Sequence, residues 1–79
     1  MNYVTGVVIQ FTTENADEVL VRARGKYISR AVDVAEIAMK KFLKGIIEVK
    51  SIAIDSEDFT NKDGKDVQVS TIEIILKKI

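Results

Sequence analysis

The chain has 79 residues, twelve Lys and Arg against twelve Asp and Glu, and a hydrophobic fraction of 47%, which together describe one small domain (1–79) near the size where a single core is only marginally sufficient. It contains no Cys and no His. That excludes disulfides, Cys/His zinc sites and Ser/His or Cys/His nucleophiles, and leaves oligomerisation as a staple for so small a fold. No apolar run reaches bilayer length and the N-terminus lacks a signal-peptide pattern, so the expected compartment is the cytoplasm.

A net charge of zero hides an uneven distribution. Residues 1–21 carry three acids and no base, residues 22–50 carry eight bases against three acids (net +5), and residues 51–79 carry four bases against six acids (net −2). A basic middle between acidic ends is the footprint of a polyanion partner. From charge alone it reads equally as a solvated surface.

In chain order, Val4, Val7, Val8 and Phe11 fall on one helical face and predict a first helix over Met1–Phe11. Gly6 counts against that helix by about 1 kcal/mol relative to Ala, and Val7-Val8-Ile9 would also suit a buried strand. TTENAD at 12–17 is turn-like. Val19, Val21 and Ala23 then alternate with Leu20, Arg22 and Arg24, the period of a strand, until Gly25 breaks it. From Ile28 the period becomes helical, with Ala31, Val32, Ala35, Ala38, Met39 and Phe42 as the apolar stripe. Gly45 closes that helix behind Lys40, Lys41 and Lys44, which suit the negative end of a helix dipole.

After Gly45 the pattern returns to β. Ile47 and Val49 share one parity, Ile52 and Ile54 the other, which predicts a bulge at Lys50-Ser51. The polar stretch 55–66 carries the turn signal Asn61-Lys62-Asp63-Gly64, and Val67–Leu76 is a β-branched last strand, so the two strands form a long hairpin. Phe59 near its tip reads equally as a core residue or an exposed contact, and Lys77-Lys78 as a solvated end. The order helix, strand, helix, strand, strand implies an α+β fold, a small two-layer sandwich of helices on one sheet.

The catalytic inventory is thin. Asp33 and Glu36 are spaced to pair with Arg30 and Lys40 on a helix surface. The acids at 55, 57 and 58 lack the spacing of a calcium loop, and no phosphate-loop or dinucleotide motif is present. No enzyme activity, cofactor or metal is expected. Arg24-Gly25-Lys26 suits polyanion binding instead. Gly allows close backbone approach, its neighbours supply charge, and the helix N-terminus beyond favours phosphate. Such contacts give affinity with little base reading.

Four stretches, MNYV at 1–4, VRARGKYISRAVDVAEI at 21–37, KKFL at 40–43 and VSTIEIIL at 69–76, resemble the Alba family of small archaeal chromatin proteins. The resemblance runs the length of the chain in register. It implies the family fold of order β-α-β-α-β-β, a homodimer, and sequence-independent binding of double-stranded DNA and of RNA, with a cytoplasmic, nucleoid-associated location. By position it implies nucleic-acid contacts at Tyr3, Arg24 and Lys26, supported by Arg22, Gly25, Arg30, Lys40 and Lys41. It also implies hairpin arms carrying Lys62 and Lys65 along the minor groove, and a dimer–dimer contact at Phe42, which as a member of the helical stripe reads equally as core.

Three departures bear on this. The sequence starts at MNYV, where the family usually has a first strand and a basic Gly-Lys-Lys-Pro-type loop, so the expected order here is α-β-α-β-β with a smaller sheet and less surface charge. Thr5-Gly6 weakens the first helix. Lys62 and Lys65 are offset by Asp63 and Asp66. An alternative role is a protein-interaction subunit or RNA–protein complex component that pairs with a full-length relative as a heterodimer. No membrane or small-molecule partner is expected.

Overall fold

A computed structural model of the protein describes residues 2–79. In chain order it has α1 (Asn2–Thr12), β1 (Glu18–Arg24), one 3₁₀ turn (Gly25–Tyr27), α2 (Ile28–Ile37), a π-helical turn (Ala38–Phe42), β2 (Ile47–Thr60) and β3 (Asp66–Lys78). The three strands form one antiparallel sheet of order β1-β3-β2, with both helices packed on one face. This is the predicted α+β order, although the expected helix start at Met1 lies outside the described residues.

The core follows the two periodicities. Val4, Val7 and Phe11 are buried from α1, Val19 from β1, Ala31, Val34 and Ala35 from α2, and Ile72, Ile74 and Leu76 from β3. The helical stripe is corrected in three places. Val34 belongs to it, whereas Val32 and Phe42 face solvent. The π turn explains Phe42: the Leu43 N–H donates to the Ala38 carbonyl at 2.9 Å, a bond spanning five residues rather than four. The extra residue passes the inward position from Phe42 to Leu43, which is 3% exposed against 61% for Phe42.

The predicted bulge is present. The register of β2 on β3 shifts between Val49 and Ser51, and Lys50, left out of the ladder, reaches Glu18 at 2.6 Å. Beyond the bulge Ile52 and Ile54 stand directly opposite Ile74 and Ile72, so they point to the helix-covered side of the sheet. The helices leave them largely uncovered, with only Ile28 at the start of α2 lining the same recess as Ile54. Every residue of β2 from Lys50 to Thr60, Phe59 included, is exposed, and the hairpin projects as an arm from a molecule measuring 47 × 23 × 20 Å. Asn61 organises the tip: its Oδ1 accepts from the N–H groups of Asp63 (2.9 Å) and Lys65 (3.1 Å), and Gly64 takes a φ of +77°. The C-terminal lysines are engaged rather than merely solvated: Lys77 pairs with Glu48 at 3.3 Å and Lys78 donates to Asn15.

Candidate functional site

β1 runs into α2 through Gly25, whose φ of +59° lies in the left-handed region and whose absent Cβ would sit 3.7 Å from Val69 Cγ1. This turn is where the predicted cations meet. Leu20, Arg22 and Arg24 line the exposed parity of β1, as expected. No described strand pairs with the outer edge of β1. Between β1, α1 and the start of α2 runs a groove of about 530 Å³, walled by Tyr3, Arg22, Arg24, Tyr27 and Arg30 among others. A second, polar recess of about 600 Å³ lies on the other side of Tyr27 and is lined by Lys26, Ser29, Arg30 and Asp33.

Ion pairing separates the cations into two groups. Arg22 is held by Glu73 at 3.0 Å, Lys50 by Glu18 at 2.6 Å and Lys77 by Glu48 at 3.3 Å. All three pairs sit on the sheet, where among the described residues Asp55, Glu57, Asp58 and Asp66 are left without a cation. Lys40 is held by Glu36 at 2.7 Å, the predicted i,i+4 pair. The predicted Arg30–Asp33 pair does not form; the Arg30 guanidinium instead stands 5.8 Å from the centre of the Tyr27 ring, with the Lys26 ammonium 5.5 Å from it. Among the described residues, Arg24, Lys26, Arg30, Lys41, Lys44, Lys62 and Lys65 take part in no ion pair.

The structure therefore brings Tyr3, Arg22, Arg24, Gly25, Lys26 and Arg30 to one junction, Arg22 with its charge already countered. Lys40, Lys41 and Phe42 lie ten or more residues further along the helical segment, about 15 Å away. Lys62 and Lys65 lie at the hairpin tip. Arg24 is opposite Thr71 on β3, six residues from Lys65, or about 20 Å of strand. Sequence reasoning missed Tyr27. An aromatic directly after Lys26 and three residues before Arg30 is basic–aromatic interleaving, the signal that would have found it.

A small α+β protein with a strand–glycine–helix junction rimmed by unpaired cations and a projecting hairpin is a recognisable class. The Alba family model matches residues 1–56, and the chain belongs to the Alba family. It is 53% identical over 78 residues to the DNA/RNA-binding protein Alba of Methanococcus maripaludis, covering 99% of this chain and 86% of that protein. It is likewise 53% identical over 78 residues to the DNA/RNA-binding protein Alba of Nanoarchaeum equitans, covering 98% and 86%. The solved structure of Alba from Thermoplasma volcanium superposes with a TM-score of 0.86 at 45% identity, over 98% of this chain and 87% of that one.

Proposed function

We propose that this protein binds double-stranded DNA, and RNA, without sequence preference, as a dimer that coats nucleic acid in the manner of a chromosomal protein. The observation that carries the reading is the set of cations at the β1–α2 junction, Arg24, Lys26 and Arg30, that take part in no ion pair, with Lys41 and Lys44 beyond α2. The names of the DNA/RNA-binding relatives support it. Arg24 and Lys26 flank a backbone that approaches a phosphate closely at Gly25, and nothing at the junction resembles a helix laid out to read base edges in a groove. The Lys62 and Lys65 tips, about 20 Å away, supply a second contact along the same duplex.

Dimerisation is supported by the bare helix-side face of β2. Ile52 is 59% and Ile54 80% exposed, on the side of the sheet that elsewhere forms the core. A second copy, or a related chain in a heterodimer, covers it. Pairing doubles the phosphate contacts and places two junctions on one ligand. Phe42, 61% exposed beyond the π turn, is left as a contact between neighbouring dimers on a coated strand.

The test is fluorescence anisotropy on two unrelated random duplexes across a salt series. The parent's log K falls with log salt by about 0.9 per phosphate neutralised. Arg24→Ala with Lys26→Ala removes four charges per dimer, lowers the slope by about 3.6, and weakens binding at 0.15 M salt by roughly a thousandfold, equally on both duplexes. An unchanged slope and affinity overturn the site.

A further inference from the structure

Tyr27 is not explained by the fold. It occupies the N-cap position of α2, its side chain makes no capping bond, and its ring is half exposed. It forms the wall shared by the groove and the polar recess, and the groove's opposite rim carries Tyr3, 67% exposed. A half-exposed aromatic in so small a chain normally tucks its face onto a neighbouring apolar surface; here the groups over the ring are the Lys26 ammonium and the Arg30 guanidinium. The arrangement is an aromatic platform with phosphate-binding charge on each side.

We propose that Tyr27, with Tyr3 across the groove, is a stacking site for unpaired nucleotides, so that the protein grips single strands through their bases as well as their phosphates. This rests on the nucleic-acid reading above and adds a substrate class to it. Bases inside a duplex are stacked on one another and cannot offer a face to Tyr27. A single strand can splay a base onto the ring while Arg24, Lys26 and Arg30 take the flanking phosphates. Stacking is indifferent to base identity, which keeps the site sequence-tolerant. The outer edge of β1, unpaired among the described strands, adds backbone donors and acceptors beside the groove for the polar rim of the base.

The chain offers its own probe. Tyr3 and Tyr27 are its two tyrosines and it has no Trp, so near-ultraviolet emission reports these rings alone. The intact protein is titrated at one salt concentration with oligo-dT, oligo-rU, an abasic deoxyribose-phosphate strand of equal length, and a duplex. A length of about ten nucleotides suits a single-strand module. Expected are quenching of tyrosine emission by the base-bearing strands but not by the abasic strand, and tighter binding of the former; the dT and rU arms separate a DNA from an RNA source. Tyr27→Ala should weaken binding to base-bearing strands by roughly 5- to 150-fold more than it weakens binding to the abasic strand or the duplex, and Tyr27→Phe, which keeps the ring, should restore that difference. Equal affinity for abasic and base-bearing strands, or a Tyr27→Ala loss that is the same on duplex, overturns the stacking site while leaving phosphate binding standing. Failure of every ligand to bind at low salt overturns the parent reading as well.

Discussion

Replacing Ile54 by Asp tests the dimer, and its effect can be worked from exposure alone. Burying an Ile side chain fully contributes about 2 kcal/mol. Ile54 is 80% exposed, so covering it recovers about 1.6 kcal/mol per copy, and an interface with two-fold symmetry counts every change twice. Ile54→Asp therefore forfeits about 3 kcal/mol of association from lost apolar burial, a roughly 200-fold rise in the dimer dissociation constant. Burial of two new carboxylates raises it further. Within one protomer the change costs little, because almost nothing touches the side chain. The assay is sedimentation equilibrium at micromolar concentration, with far-ultraviolet circular dichroism to establish that the variant is folded. The expected outcome is a dimer for the parent and a folded, largely monomeric variant. A parent that is monomeric, or a folded variant with the parent's dissociation constant, would refute the assignment of this face.

Two further outcomes concern the protomer. Gly25→Ala places a Cβ on a residue at φ +59°, where an L side chain costs about 1–2 kcal/mol; for a domain of this size each kcal/mol lowers Tm by about 4–8 °C, read by thermal denaturation, and an unchanged Tm would mean the turn relaxes freely. Leu76→Ala truncates the largest fully buried side chain of the core, 0% exposed, and should cost about 2–5 kcal/mol in urea unfolding at constant protein concentration; a loss below about 1 kcal/mol would show that the two layers collapse onto the gap.

Much of the fold is legible in the sequence because burial and secondary structure share a period. Val19 buried beside exposed Leu20, and the parity switch between Val49 and Ile52 that marks the bulge, need only the pleat to be deduced. The helix after Gly25 is legible as a helix, although Val34 rather than Val32 takes the inward place in it, and its far end misleads. Extending an α-helical period through Ala38 assigns Phe42 to the core, and one five-residue hydrogen bond hands that place to Leu43. A π turn leaves no simple trace in hydrophobic spacing, so an error of one residue there is intrinsic to period counting. The bare faces of Ile52 and Ile54 are hidden for another reason: alternation says which side of a sheet a residue faces, but not whether a helix extends far enough to cover it.

The candidate site shows the same limit in its charges. Counting places a net +5 in residues 22–50, yet counting cannot tell which of those cations are free. The pairing that decides this is non-local: Glu18 takes Lys50 from thirty-two residues away, and Glu73 takes Arg22 across the β1–β3 ladder. Such cross-strand pairs, exposed as they are, contribute little to stability. Their consequence is spatial. By taking up Arg22, Lys50 and Lys77, they leave Arg24, Lys26 and Arg30 as the unpaired cations around one glycine turn, with Lys41 and Lys44 further along the helical segment. A chain of zero net charge can therefore present a concentrated positive field to a polyanion while the compensating acids, Asp55, Glu57 and Asp58 of β2 among them, lie elsewhere on its surface. The field falls off within about a Debye length, roughly 8 Å at physiological salt, so only a phosphate brought close to the Gly25 backbone experiences it. That short range favours a ligand carrying many regularly spaced charges over an isolated anion, and it makes the salt slope, rather than the affinity at any single salt concentration, the quantity that reports this surface.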